Sequence, residues 1–280
     1  MRRSDGINRG RRYRFRPGAC IRLLGLCAMF ACGMVLGISL WGGGPAEQAL
    51  APREQQTTTG TTTPAPPVSG LTVRTLTGSE IQQKRQLVVV NKWNLWPQDE
   101  EGVDLVSIRT YQTTNAYSLK DSAMRANREA VQAFDKMMRR AKTEGIQGIV
   151  ITSSYRGYEK QRILFEQQTQ LMRTGGRTLA QAEELANRTV SRPGESEHHT
   201  GYAFDLKTLD TEMEAFGTTE QGKWIQNNSA KFGFILRYPE DKAGYTGIDS
   251  EPWHIRYVGV EAAQAMQRQN QCLEEYVLTQ

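Results

Sequence analysis

The stretch Ser191–Asp205, reading SRPGESEHHTGYAFD, constrains this chain more than any other. It carries two of the three histidines, His198 and His199, with Asp205 close behind. The third, His254, lies further on in SEPWHIRYVG. A Pro-Gly turn precedes Ser196, and Gly201 lets the backbone bend sharply before the strand-like YAFDLK. A histidine on the loop and an aspartate on the next strand can therefore face one point. Histidine and carboxylate together suit zinc, whose catalytic sites use three protein ligands and leave one position to water. Taken alone, the pair is weak evidence, and a surface histidine with a solvated carboxylate is the plainer reading.

Glu251-Pro252-Trp253-His254 adds a second carboxylate three residues from a histidine. Near a zinc ion such a glutamate can take a proton from bound water. Pro252 argues against a helix, so this is not the helical HExxH arrangement. In a regular strand, positions three apart face opposite ways, so a bulge or turn is needed to bring both side chains to one metal. The plainer reading is a strand start with Trp253 in the core and Glu251 exposed. A third segment, Ser153 to Tyr158 (SSYRGY), follows an apolar run. Arg156 there offers a planar fork suited to a carboxylate or a developing oxyanion, although an isolated arginine is more often a surface residue.

Charge has to be read by segment. The chain carries a net +5, but Met1–Arg22 hold eight arginines against one aspartate, leaving the remainder slightly acidic. The basic balance reports a tail and not a nucleic-acid-binding face. Leu23 to Trp41 is an uncharged apolar run near the length a helix needs to cross a bilayer. Arginines on its N-terminal side fit the positive-inside rule. The expectation is a basic cytoplasmic tail (1–22), a single-pass signal anchor (23–41), a flexible Gly/Thr/Pro linker (42–70) and one extracytoplasmic folded domain (71–280). Of four cysteines only Cys272 lies in that domain, which excludes a disulfide framework and a cysteine-type zinc site. Cys272 reads as an inert residue of a C-terminal helix.

Within the domain the patterns predict strands at 87–91, 148–152, 202–207, 234–238 and 254–258. They predict helices over 121–144, to about Met172, 177–188, 220–232 and 260–278. Ala126, Ala130, Phe134, Met137, Met138 and Ala141 mark the core face of the first helix. Interspersed helices and short strands give an α+β fold with a small, mainly antiparallel sheet and flanking helices.

The combination resembles the zinc D-alanyl-D-alanine carboxypeptidases of the VanY type, in the family that also holds VanX-type dipeptidases and L,D-carboxypeptidases. The pattern S-x-H-x-x-G-x-A-x-D is met by Ser196, His198, Gly201, Ala203 and Asp205. E-P-W-H is met by Glu251–His254, and RYVG by Arg256–Gly259. S-x-Y-R, with a glutamine five residues on, is met by Ser153–Arg156 and Gln161. The likeness extends through LVVVNKWN, KFGFILRYPEDK and LEEY, from about Gln86 to Tyr276, with NLWP (94–97) departing from the usual run.

The resemblance implies the roles. His198, Asp205 and His254 would hold Zn2+. Glu251 would be general base and then acid, and Arg156 would polarise the scissile carbonyl or stabilise the oxyanion. Ser196, Gln161 and Arg156 would bind substrate. His199 stands where relatives often have glutamine and is not made a ligand. The implied fold is of the hedgehog and D-Ala-D-Ala peptidase kind, and the implied partner is the peptidoglycan stem peptide, with no protein partner evident. The alternative is a catalytically silent, zinc-containing wall-binding or signalling module. Retention of Glu251 speaks against it. D,D or L,D specificity is left open.

Overall fold

The computed structural model describes residues 72–280. The expected basic tail, membrane anchor and linker lie outside the described residues. Among the described residues, no helix is long and apolar enough to cross a membrane.

The first third of this region is made of short pieces. They are β1 (Arg74–Thr75), α1 (Gly78–Lys84), β2 (Asn94–Leu95), β3 (Leu105–Ser107), α2 (Ile108–Tyr111), β4 (Tyr117–Leu119) and β5 (Arg125–Asn127). Longer elements follow: α3 (Arg128–Thr143), β6 (Ile149–Ser153), α4 (Tyr158–Met172), α5 (Leu179–Ala186) and β7 (Ala203–Thr208). The chain continues through α6 (Glu220–Asn228), β8 (Phe234–Leu236), α7 (Ala243–Thr246), β9 (His254–Tyr257), α8 (Val260–Gln269) and α9 (Leu273–Leu278).

Five strands form the main sheet in the order β4-β6-β7-β9-β8. Only the β4–β6 pair is parallel, so the sheet is mainly antiparallel, as expected. Side chains alternate across it. Ile149, Ile151, Phe204, Leu206, Phe234 and Ile255 are buried on one side. There they meet Ala130, Phe134, Met137, Met138 and Ala141 of α3. The Phe134 ring stacks on Phe204 at 5.2 Å and meets Phe234 edge-on at 6.1 Å. Emptying a packed aromatic position of this kind costs about 3–5 kcal/mol. The same alternation turns Asp205, His254 and Arg256 to the opposite side. The apolar core thus fixes which residues can form a site.

Register does the rest. Asp205 pairs with His254 on one side and with Ser153 on the other. A bulge between Ile151 and Ser153 shifts the β6–β7 ladder just there. Bulges bend a strand and re-aim side chains, and they occur often beside active sites.

Several boundaries differ from the sequence reading. The expected strand at 87–91 is a 3-10 turn (Arg85–Leu87) followed by irregular chain. A buried arginine holds it instead: Arg256 Nη2 donates to Val88 O at 2.9 Å and to the preceding Gln86 O at 3.0 Å. The helix expected from Asp121 begins at Arg128, because Arg125–Asn127 pair with β3 first. Asn127 caps it, its side chain accepting from Ala130 N. The helix expected over 260–278 is two helices, broken where Asn270 takes a left-handed φ of 50°. Cys272 then starts α9, buried and free. Burial pushes its thiol up to about 12, which suits an inert side chain.

Candidate metal centre

His198 stands on the 3-10 turn Glu197–Thr200. That turn ends at Gly201, whose φ of +82° is left-handed and so favours a residue without Cβ. Space is short as well: a Cβ there would come within 2.6 Å of Leu105 Cδ2. Gly201 O accepts a bond from Asn127 N at 2.8 Å. The turn is also stitched to the end of β6. Arg156 N donates to His198 O at 3.1 Å, and His198 Nδ1 meets Ser154 O at 2.7 Å. A carbonyl can only accept, so Nδ1 carries the proton. Nε2 is left as a lone pair, 3.2 Å from Asp205 Oδ2.

His254 opens β9 directly after a turn at Pro252–Trp253. His254 N donates to Glu251 O at 3.1 Å. This is the turn that the i, i+3 spacing required, and it puts both side chains on the site's side. Glu251 Oε2 lies 3.5 Å from His254 Nδ1, and Asp205 Oδ1 lies 3.0 Å from the same nitrogen. Glu251 is buried, against the plainer reading of an exposed residue.

One ligand atom from each of His198, Asp205 and His254 lies within 4.8 Å of the others, and all three residues are buried. His198 Nε2 and Asp205 Oδ1 are buried without a hydrogen-bond partner. Such orphaned groups are costly unless something else satisfies them. Two imidazoles and a carboxylate converging on one point fit a zinc ion with an open fourth position.

The charges follow from burial. Desolvation pushes His198 down to about 4, so it is neutral as a ligand must be. Burial would also lower His254, but Asp205 and Glu197 outweigh it and push it up to about 9. Burial would raise Asp205, yet His198 and His254 hold it well below the usual carboxylate range. Glu251 is pushed up to about 8, mainly by burial.

The cluster opens on a cleft of about 1030 Å³. Ser154, Arg156, Asp205, Glu251, Trp253 and His254 are among its walls. Arg156 is therefore on the cleft, and its Nε is buried and unpartnered. Ser196 and Gln161 are buried and stand off the cleft wall. Gln161 Nε2 donates to Ser191 O at 2.7 Å, a bond that holds the start of the histidine loop. Both nitrogens of His199 are taken, Nδ1 by Arg156 O at 2.8 Å and Nε2 by Gly194 N at 3.1 Å. It stacks on Tyr158 and has no lone pair left for a metal.

Sequence reasoning gave no role to Glu197, Arg237 or Arg256. They form a buried ion cluster behind the site: Arg237 Nε and Arg256 Nη1 reach Glu197 Oε1 at 2.7 and 2.8 Å. A signal for Arg256 was its place two residues after His254, which puts it on the same face of the strand.

The chain matches the family model described as "VanY: D-alanyl-D-alanine carboxypeptidase" over residues 123–260. It is 34% identical over 207 residues to a D-alanyl-D-alanine carboxypeptidase of Enterococcus faecium, covering 73% of this chain and 61% of that protein. The chain thus spans about three fifths of that relative's length. Among solved structures it is similar to the LdcB LD-carboxypeptidase, with 34% identity and a TM-score of 0.61 over 73% of this chain and 89% of that one. It is likewise similar to a vancomycin resistance D,D-pentapeptidase VanY solved with Zn(II). That match has 34% identity and a TM-score of 0.58 over 69% of this chain and 98% of the other.

Proposed function

The chain belongs to the VanY family of D-alanyl-D-alanine carboxypeptidases, and on that premise we propose that it removes the C-terminal D-alanine from peptidoglycan stem peptides. The observation that carries this reading is the convergence of His198, Asp205 and His254 within 4.8 Å, at the wall of a cleft that Glu251 and Arg156 share.

In this reading the two histidines and Asp205 hold zinc. Zinc supplies Lewis acidity and lowers the pKa of water toward neutrality. Glu251 accepts the proton of the attacking water at its carboxylate and delivers it to the leaving amine of D-alanine. Its raised pKa suits it to hold that proton between the two events. Arg156 donates from its guanidinium to the oxygen on which charge develops, or to the terminal carboxylate. Gln161 steadies the start of the histidine loop through its bond to Ser191 O. A silent binding module has no use for a buried carboxylate 3.5 Å from a ligand nitrogen.

Relatives of both D,D and LD type share this fold. Purified full chain is incubated with a pentapeptide stem and, separately, a tetrapeptide stem, and D-alanine release is followed with and without a chelator. Chelator-sensitive release from one stem supports the reading and assigns the specificity. Absence of release from both, with zinc bound one to one, would sink it. We further propose that residues 23–41 anchor the chain in the cell membrane, with 42–70 as linker and the catalytic domain outside the cytoplasm. Extraction of the full chain from membranes by alkaline carbonate would count against the anchor.

A further inference from the structure

Glu197 precedes a ligand in sequence, but its carboxylate turns away from the cleft. Its side chain is 0% exposed, as are those of Arg237 and Arg256. Both arginines bind the same oxygen, Oε1. The other oxygen, Oε2, is buried and has no hydrogen-bond partner. His254 Nε2 lies 3.7 Å from it and is equally unpartnered.

His254 Nδ1 is the nitrogen that faces the cluster, 3.0 Å from Asp205 Oδ1. A ring nitrogen given to a cation must offer its lone pair, so the proton has to sit on Nε2. We infer that Glu197 is a positioning residue, which holds the Nε2–H of His254 and so fixes the tautomer and ring angle that present Nδ1 to the metal. Carboxylates set behind metal-bound histidines raise their basicity and orient them. The inference rests on reading His254 as a zinc ligand.

The surroundings explain why Oε2 is free for this task. Arg237 also donates to Glu274 of α9, through Nη1 at 2.9 Å and Nη2 at 2.6 Å. Asn91 Nδ2 donates to Glu274 Oε1 at 3.0 Å. Arg256 spends Nη2 on Gln86 O and Val88 O. Two arginines and two glutamates balance in charge. Every guanidinium in the cluster is committed, and the single carboxylate oxygen left over is the one that points at His254.

Glu197→Gln separates this role from a merely structural one. Arginines only donate, so they would claim the glutamine oxygen. The amide NH2 would then face His254 Nε2, and it too can only donate. His254 would have to move its proton to Nδ1, where a metal needs a lone pair. The zinc affinity of the full-length variant, read by competition with a chromophoric chelator, is expected to fall 10- to 100-fold. Nitrogen NMR of the imidazoles should show Nε2–H for His254 in the zinc-loaded wild type and Nδ1–H in the metal-free variant. Glu197→Asp, which keeps an acid, should restore part of the affinity.

A folded Glu197→Gln protein with zinc affinity within twofold of wild type would overturn the inference. So would a zinc-loaded wild type whose His254 Nε2 lacks a proton, an outcome that can be read even where the variant fails to fold. A wild-type chain that takes up no zinc would count instead against the metal reading underneath, and this inference would fall with it.

Discussion

Glu251 and His254 share one turn, yet removing them should have different consequences. Glu251→Gln keeps size and shape and leaves the two histidines and Asp205 in place. It should still bind one zinc per chain, while kcat falls by about 10²- to 10⁴-fold, the usual contribution of a general base. His254→Ala removes a ligand and should lose both the metal and the activity. Zinc stoichiometry and D-alanine release, measured on the same preparations, check both outcomes. Full activity in Glu251→Gln would remove the proposed proton route. The candidate ligands were legible because the spacing of a histidine, a bend and an aspartate, with a second histidine behind a carboxylate, raised the metal reading, and the family resemblance then assigned His198, Asp205 and His254 to it. Glu197 was not legible. Nothing in SEHHTG says that the residue before His198 turns to the back of His254, because the two lie far apart in sequence and approach through the β7–β9 register and the arginines that hold Glu197.

Among the elements, the long periodic ones were readable and the short ones were not. The core face of α3 followed from the spacing of its apolar residues. So did β6, β7 and β9, to within a residue or two. By contrast, β3 and β5 are three residues each and exist only because they pair with each other. The apolar run at 87–91 looked like a strand, but it is held by a buried arginine instead of a ladder. Gly201 shows how one turn controls the site. Gly201→Ala would put Cβ where Leu105 and Asn127 stand, in a left-handed conformation. Strain of this kind costs of order 1–3 kcal/mol. Denaturant unfolding should show a lower midpoint. Zinc affinity should fall with it, since His198 is three residues away on the same turn. An unchanged midpoint would mean that the loop relaxes freely, contrary to its packing.

At the scale of the whole described domain, the site is where the sheet, the histidine loop and the C-terminal helix are locked together. His254 touches Asp205 in front and Glu197 behind, and Glu197 is tied through Arg237 to Glu274 of α9. Metal and proton compete for this centre, and that competition should appear in global stability. In the metal-free protein His254 is pushed up to about 9 from 6.5. The stability from that proton is fully present below pH 6.5 and is lost as pH rises through 9. Glu251, pushed by burial up to about 8 from 4.5, acts in the same direction, losing its contribution as pH rises through 8. His198 is lowered to about 4, so its opposite contribution is complete by pH 6.5. Between pH 6.5 and 9 the metal-free protein should therefore weaken. Zinc replaces the His254 proton with a fixed cation, and its binding releases protons, so it tightens over the same window. The gap in Tm between zinc-loaded and metal-free protein should widen steadily from pH 6.5 to 9, read by thermal unfolding at several values in that range. A gap that stays constant or narrows would mean that His254 is not the group for which metal and proton compete.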